Sequence, residues 1–485
     1  MVESLLSPSI VTGIRRRIGI QGAPLLSAVF VFVVYILRSA RSLTVLGDSA
    51  IFVSAAAQAG VPQPSGYPLY TLLGRLAASI PLGSIPARVN ALSAVCHAGA
   101  VGFMAATIQV VTGSPVAALC GALFIGCSRA FLLGSLYAEA FPLNDLLTAA
   151  LMYFACGFGP NTEGRRFSGF RACAVCMGLG ASHHQMLTLS LPGALVLVAG
   201  SQGDTIGKRL LALARGALRW PLWVLFLGIP VFSYGLQFAL ARRDPAQNWG
   251  DLGSLGEVFR LVTRADYGGL FSPHLGAPQT DAISELAAYS KNLWGSVGWL
   301  GCGLFAIGAY RLFRERRTQA FGFGMTALIA GPVFSVLNRL DVSNAAGLAN
   351  AERFITMSLV ALAPFAGAGV AQLEALGSRF LNEPVARACA GALAVLPLWF
   401  ARDVNLRKHL RGADFSADLL LGVEDRSLVL TTGDAANSAL VYRCGVELRC
   451  GRSITFSPGQ LHFDWRVRQL KRRNPDLVLA APAGA

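Results

Sequence analysis

Apolar positions along this chain come in long blocks. Runs such as "PLLSAVFVFVVYIL" (24–37) are separated by short stretches holding Arg, Asp, Gly and Pro. Blocks near the ~20 residues that carry a helix across a bilayer recur throughout. They predict about eleven spans, at roughly 18–37, 89–111, 114–132, 141–158, 170–183, 186–200, 220–240, 292–312, 320–337, 354–372 and 387–402. The fifth and sixth are short and read as a hairpin that need not cross. The first has span length and lacks a small-residue cleavage site, so it reads as a retained helix and not a signal peptide. After about residue 403 the pattern changes. "RSLVLTTGDAANSALVYRC" passes from a β-type run through a Gly-Asp turn into an amphipathic stretch, and "HFDWRVRQLKRR" reads as a basic amphipathic helix. The expected architecture is an all-α polytopic membrane domain over 1–402, followed by a small α/β domain over 403–485. At about 80 residues that tail is small enough to need docking on its neighbour.

Composition agrees with the pattern. Of 485 residues, 54% are hydrophobic and 14% charged, against about 25% charged in soluble domains. The formal net charge is +15, but the basic residues gather in short clusters between spans, as the positive-inside rule requires, and nucleic acid is not implied. Those clusters are Arg15 to Arg17; Arg165, Arg166 and Arg171; Lys208, Arg209, Arg215 and Arg219; and Arg311, Arg314, Arg316 and Arg317. With eleven spans all fall on one side, which places the N-terminus in the cytoplasm. Asp48 in the first outer loop (38–88), the long loop 241–291, the loop 338–353 and the tail then share the opposite face. Arg38, Arg41, Arg75 and Arg88 stand on that face against the rule, as if to meet something anionic. Eight of ten cysteines lie in apolar segments; Cys444 and Cys450 sit close together in the tail and could pair in an oxidising compartment.

The same outer face collects polar residues at the ends of spans: Asp48, Glu139 in "YAEAFPLND", His183 and His184 in "GASHHQM", Trp249 in "QNWGD", Arg264 and Tyr267 in "TRADYGG", and Glu352 and Arg353 in "ANAERF". Ionisable groups near a bilayer are costly unless paired or lining a hydrated cavity, so they are functional candidates. Plainer alternatives exist for each: Asp48 as a helix cap in "GDSA", Glu139 as structural glue, the histidines as satisfied interfacial residues. Their common side favours function. A carboxylate can take the proton of an acceptor hydroxyl, arginines can hold a lipid phosphate as it leaves, and aromatics can line a sugar or polyprenyl pocket. No Walker A, zinc-ligand spacing or Gly-x-Ser-x-Gly is present, and no related halves are evident. Neither metal nor cofactor is expected; the lipid-linked sugar is a substrate.

"GDSAIFVSAAAQAGVPQPSGYPLYTLLGRL", "RVNALSA", "YAEAFPLND", "NWGD", "TRADYGG", "AERF" and "TTGDAANSALVYRCGVELRCG" together resemble, in order and spacing, the transmembrane protein 260-like family. The resemblance implies a GT-C membrane glycosyltransferase, similar to a protein O-mannosyltransferase, that uses a dolichyl- or polyprenyl-phosphate sugar. By position it implies Asp48 and Glu139 as the acids, with Arg88, Arg264, Tyr267 and Arg353 toward the donor; His183 and His184, which no family segment covers, are secondary candidates for phosphate or sugar contacts. Tyr67, Asn90, Trp249 and Glu352 then fall toward the substrate. Where the family has a second first-loop acid this chain has Ile51, its His-Pro-Pro is Gln63-Pro64-Ser65, and its tail Arg-Pro-Asp is Arg449-Cys450-Gly451. The implied partners are the lipid-phosphate sugar, a protein or glycan acceptor and membrane lipids. The implied site is the endoplasmic reticulum of a eukaryote or the inner membrane of a bacterium, with the tail lumenal or periplasmic. Two other readings remain: a secondary transporter or lipid flippase, and a non-catalytic GT-C-fold scaffold.

Overall fold

In a computed structural model, residues 8–156, 163–200, 207–208, 214–215, 220–269, 280–380 and 382–478 are described. Arg209 and Arg219, with the side chains of Arg15, Arg16, Arg17, Arg165 and Arg166, lie outside the described residues, as does 270–279 of the long loop. The molecule is a bundle of helices whose mutual contacts centre on Thr356–Gly377. In the most apolar window of Ala345–Gly377, 89% of residues are buried, against 17% in Pro221–Ala241, so the first is the axis of the bundle and the second lies at its edge. Small residues let backbones close on that axis. A Cβ on Gly121 would lie 2.6 Å from Gly367 Cα, and Ile108 fills the same junction.

Five described helices are long and apolar enough to cross a membrane: Ile85–Thr112, Pro221–Ala241, Ala282–Glu315, Arg317–Asn338 and Ala345–Gly377. Seven further apolar helical segments of 10–17 residues are described, among them parts of the longer helices Pro8–Arg38 and Glu163–Ala181. Two of the expected runs are interrupted, each for a local reason. The run 114–132 starts cleanly, with Ser114 accepting the Ala117 N–H at 3.1 Å and Pro115 at the first helical position. It then breaks at Cys127–Ser128 into Pro115–Gly126 and Arg129–Gly134. The run 320–337 passes through a π-type turn at Ile329–Val333, where Gly331 leaves helical geometry before Pro332. The first outer loop is itself helical, folding as Ser49–Gln58 and Pro68–Ser79.

The four arginines expected against the charge rule are engaged by helix ends. Arg38 donates to the carbonyls of Ala401 (3.0 Å) and Val404, and Arg41 to Ile36 at 3.0 Å. Arg75 donates to Ala57, and Arg88 to Ala78 (2.6 Å) and Ile80. Each satisfies carbonyls orphaned at or near a helix C-terminus, where cations are favoured. A buried polar clamp fastens three helices elsewhere: His97 reaches Asp145 at 3.0 Å and Ser135 at 2.7 Å, all three buried.

In the tail, Leu428–Leu430 and Ile454–Phe456 pair in parallel, beside helices Arg411–Asp418, Asp434–Gly445 and Asp464–Arg473. Cys444 and Cys450 are joined by a disulfide. The tail docks on the first loop and the long loop. Gln58 donates to Gly445 O at 2.6 Å and accepts from Ala246 N at 2.7 Å. Gln469, fully buried, donates to Asn248 O at 2.9 Å. Arg472 and Arg473 pair with Asp244 and Asp251.

Candidate active site

Asp48 occupies the N-cap position of Ser49–Gln58, yet its side chain makes no capping bond. Its carboxylate instead meets Arg353 Nη1 at 3.1 Å, and the same Nη1 meets Glu139 Oε2 at 3.0 Å. One guanidinium thus bridges acids 91 positions apart in sequence. Gly47 makes the approach possible: its φ is +50°, and a Cβ there would stand 2.5 Å from Glu139 Oε2 and 2.9 Å from Arg353 Nη1. The Arg353 side chain also lies over the rings of Phe141 and Phe354, at 5.4 and 5.3 Å. Its Nε–H is buried without a partner, a donor left over for a ligand.

Glu139 sits on the Ser135–Ala140 connection, which is pinned at several points. Asn90 accepts the Ala138 N–H at 2.8 Å and donates to Ala40 O at 3.0 Å. Ser93 accepts the Glu139 N–H at 3.2 Å, and Glu139 Oε1 accepts the Ala140 N–H at 3.0 Å. The Glu139 side chain is 1% exposed and that of Asp48 28%. Burial pushes the Glu139 carboxyl up to about 7, against the pull of Arg353. Asp48, wetter and at the mouth, is the acid an incoming group can reach.

Tyr67 caps the niche. The Gly66–Tyr67 turn is left-handed at both residues, and Pro68 starts the next helix. The turn is held by Tyr234 Oη on Ser65 O at 2.9 Å and Gln237 on Gly66 O at 2.6 Å. Burial first and the Asp48 charge next raise the Tyr67 phenol, with Arg264 pulling it back. His183 donates through Nε2 to Ala140 O at 2.8 Å, which leaves Nδ1 bare and buried without a partner. Burial depresses it to about 4, and depresses His184 well below its ordinary value with help from His183, Arg264 and Arg353. Both imidazoles are therefore neutral at neutral pH, and the cations beside them are Arg264 and Arg353. Arg264 stands over Tyr267 at 5.7 Å with its Nε buried and unpartnered.

The structure therefore brings Asp48, Glu139 and Arg353 into direct contact, with Tyr67, His183, His184 and Arg264 around them. Tyr267 and Trp249 stand on the wall of an adjoining cleft that Asp48 also lines, and Ile51 lines it too. Two other sequence candidates lie in different networks: Arg88 is spent on helix-end carbonyls and Glu352 on Arg129 at 3.2 Å, while Asn90, at full burial, acts through backbone groups and holds the Glu139 connection at Ala138. Sequence reading passed over the tail residues Asp434, Asn437, Gln460 and Arg466, which line the same cleft. The Gly-Asp of "TTGDAAN" was the available signal for the first two. Among the described residues no group of three or more His, Cys, Asp or Glu is arranged to hold a metal.

Residues 48–205 match the family described as Protein O-mannosyl-transferase TMEM260 N-terminal domain. Over 453 residues the chain is 26% identical to Protein O-mannosyl-transferase TMEM260 of Mus musculus, with 88% of this chain and 62% of the mouse protein covered. It thus spans less than two thirds of that relative's length. The crystal structure of ArnT from Cupriavidus metallidurans bound to undecaprenyl phosphate matches with a TM-score of 0.60 at 14% identity, covering 93% of this chain and 87% of that one. The apo oligosaccharyltransferase of Archaeoglobus fulgidus matches with a TM-score of 0.52 at 14% identity, covering 90% and 64%. At such identity the likeness is one of fold. The chain is thus similar in sequence to the protein O-mannosyl-transferase TMEM260 proteins, with the family model matching over residues 48–205, and it shares the fold of the ArnT and oligosaccharyltransferase structures.

Proposed function

We propose that the protein is a membrane glycosyltransferase that moves a sugar, mannose in the first instance, from a polyprenyl- or dolichyl-phosphate to a hydroxyl of a protein acceptor on the lumenal or periplasmic face. The observation that carries the reading is the shared guanidinium: Asp48 and Glu139 on one Nη1 of Arg353, with donors of Arg353 and Arg264 left unpartnered. Asp48 takes the proton of the acceptor hydroxyl as its oxygen attacks the anomeric carbon. The bond from that carbon to the phosphate oxygen breaks, and the lipid phosphate leaves with the added negative charge. Arg353 and Arg264 stabilise that charge as it grows. Glu139 keeps Arg353 in place from the dry side. No metal is called for in this scheme.

The mouse relative's name supports the mannosyl group and the protein acceptor, and the ArnT structure with undecaprenyl phosphate supports the lipid phosphate. The Cys444–Cys450 disulfide fits a tail in an oxidising compartment, and so an N-terminus in the cytoplasm. A flippase or transporter would place charge at mid-span, whereas these acids sit at helix ends.

The test supplies the purified protein with radiolabelled polyprenyl-phosphate mannose and hydroxyl-bearing acceptors. Wild type should transfer label, and Asp48→Asn should lose about 10²- to 10⁴-fold in kcat, the usual contribution of a positioned base. Undiminished transfer by Asp48→Asn removes the base assignment. No turnover with any lipid-linked sugar favours a non-catalytic scaffold.

A further inference from the structure

Asp48 has a second side. Away from Arg353 it opens on a cleft walled by the first loop, the Gln247–Trp249 segment and the tail. Asp434, Asn437, Gln460 and Arg466 of the tail line it with Gln63 and Asn248; Arg353 and Glu139 do not. Three polar atoms of these lining residues are buried and have no partner: Gln63 Oε1, Asn248 Oδ1 and Arg466 Nε. Their residues are 7%, 5% and 8% exposed. Buried groups of this kind call for a ligand or an ordered water to complete them.

The chemistry of the set is specific. Two amide oxygens ask for N–H donors, one guanidinium N–H asks for an acceptor, and Asp48 and Asp434 accept hydroxyl protons. A phosphate is poorly served, because two carboxylates face one cation. An extended peptide carries N–H and C=O groups in alternation and suits the amide oxygens and the guanidinium together. At the edge of the cleft the chain already makes this kind of pairing. Val61 and Asn248 form a parallel bridge, with Val61 N on Gln247 O at 2.9 Å and Trp249 N on Val61 O at 3.0 Å.

We propose that this cleft is the acceptor subsite. It takes an extended, hydroxyl-bearing peptide segment, with Asp434 and Asn437 of the tail as binding residues and the acceptor hydroxyl delivered to Asp48. The subsite rests on the transferase reading and assigns the tail a part in it: the tail binds the acceptor, and the membrane domain binds the lipid phosphate.

The full-length protein in detergent is titrated separately with a fluorescent Ser/Thr-rich peptide and with radiolabelled polyprenyl-phosphate mannose. Asp434→Asn and Asn437→Ala should each weaken the peptide about five- to tenfold and leave lipid-donor affinity within about twofold, the range expected when one polar contact is lost. A photo-crosslinking residue at Gln460 should label the peptide. Peptide affinity unchanged in both variants overturns the subsite, as does failure of the Gln460 crosslink when the variants lose peptide and donor alike. Binding of a free oligosaccharide, displaced by no peptide, overturns it too. Localised peptide binding without turnover of any lipid-linked sugar overturns the transferase reading and leaves the peptide cleft standing.

Discussion

Replacing Arg353 by Gln should destabilise the protein in a way that depends steeply on pH. Glu139 is buried, and its partner on Oε2 is the Arg353 guanidinium at 3.0 Å. Its folded pKa is raised from 4.5 to about 7. Stability linked to its proton is therefore complete below about 4.5 and fades as pH climbs through about 7. At pH 6 the carboxyl is protonated in both wild type and Arg353→Gln. The gap between them is then the loss of hydrogen bonds, about 1 kcal/mol. Above pH 7 the wild-type carboxyl ionises against Arg353, whereas the variant must hold its proton or bury an unpaired charge. The gap should widen by about 1.4 kcal/mol per pH unit, toward the 3–5 kcal/mol typical of a broken buried pair. Asp48 contributes little to this, since water reaches its carboxylate. Denaturant unfolding in detergent, followed by tryptophan fluorescence between pH 6 and 9, measures the gap. The double variant Glu139→Gln/Arg353→Gln removes the stranded charge and should recover most of the loss at pH 9. A gap that stays constant across that range, or a double variant no better than Arg353→Gln at pH 9, refutes the reasoning.

Gly47→Ala should impair transfer more than stability, since its Cβ would displace Glu139 and Arg353 at a backbone with φ +50°; equal kcat in variant and wild type would refute it. Arg88→Ala should lower unfolding stability by about 1–3 kcal/mol through the carbonyls it leaves bare, with unchanged affinity for the lipid donor. Arg264→Ala should weaken donor binding with little change in stability, and a binding titration separates the two. Cys444→Ser opens a loop closed over a sequence separation of 6 and should cost about 2 kcal/mol, seen as earlier proteolysis of the tail in non-reducing buffer.

Membrane class, the bundle of apolar helices and the candidates at their ends were legible from the chain alone, because burial in lipid writes itself as long apolar runs. The sequence also marked Asp48, Glu139 and Arg353, since charge near a bilayer is rare enough to notice. Which candidates meet was decided by tertiary structure. Asp48 sits where a cap would, and only the fold turns its carboxylate from the helix end to Arg353. Arg88 and Arg353 look alike as outer arginines, but one faces helix carbonyls and the other two acids. Glu352 and Arg353 are adjacent, yet the turn at Arg353–Ile355 sends them to different partners. The tail residues went unnoticed because their part comes from docking, and contacts between segments some 400 positions apart leave no local pattern. The interruptions at Ser128 and Gly331 escaped the span pattern because hydropathy reports the solvent a segment avoids and not the course of its backbone; at Gly331 the turn precedes Pro332, which cannot donate to the helix.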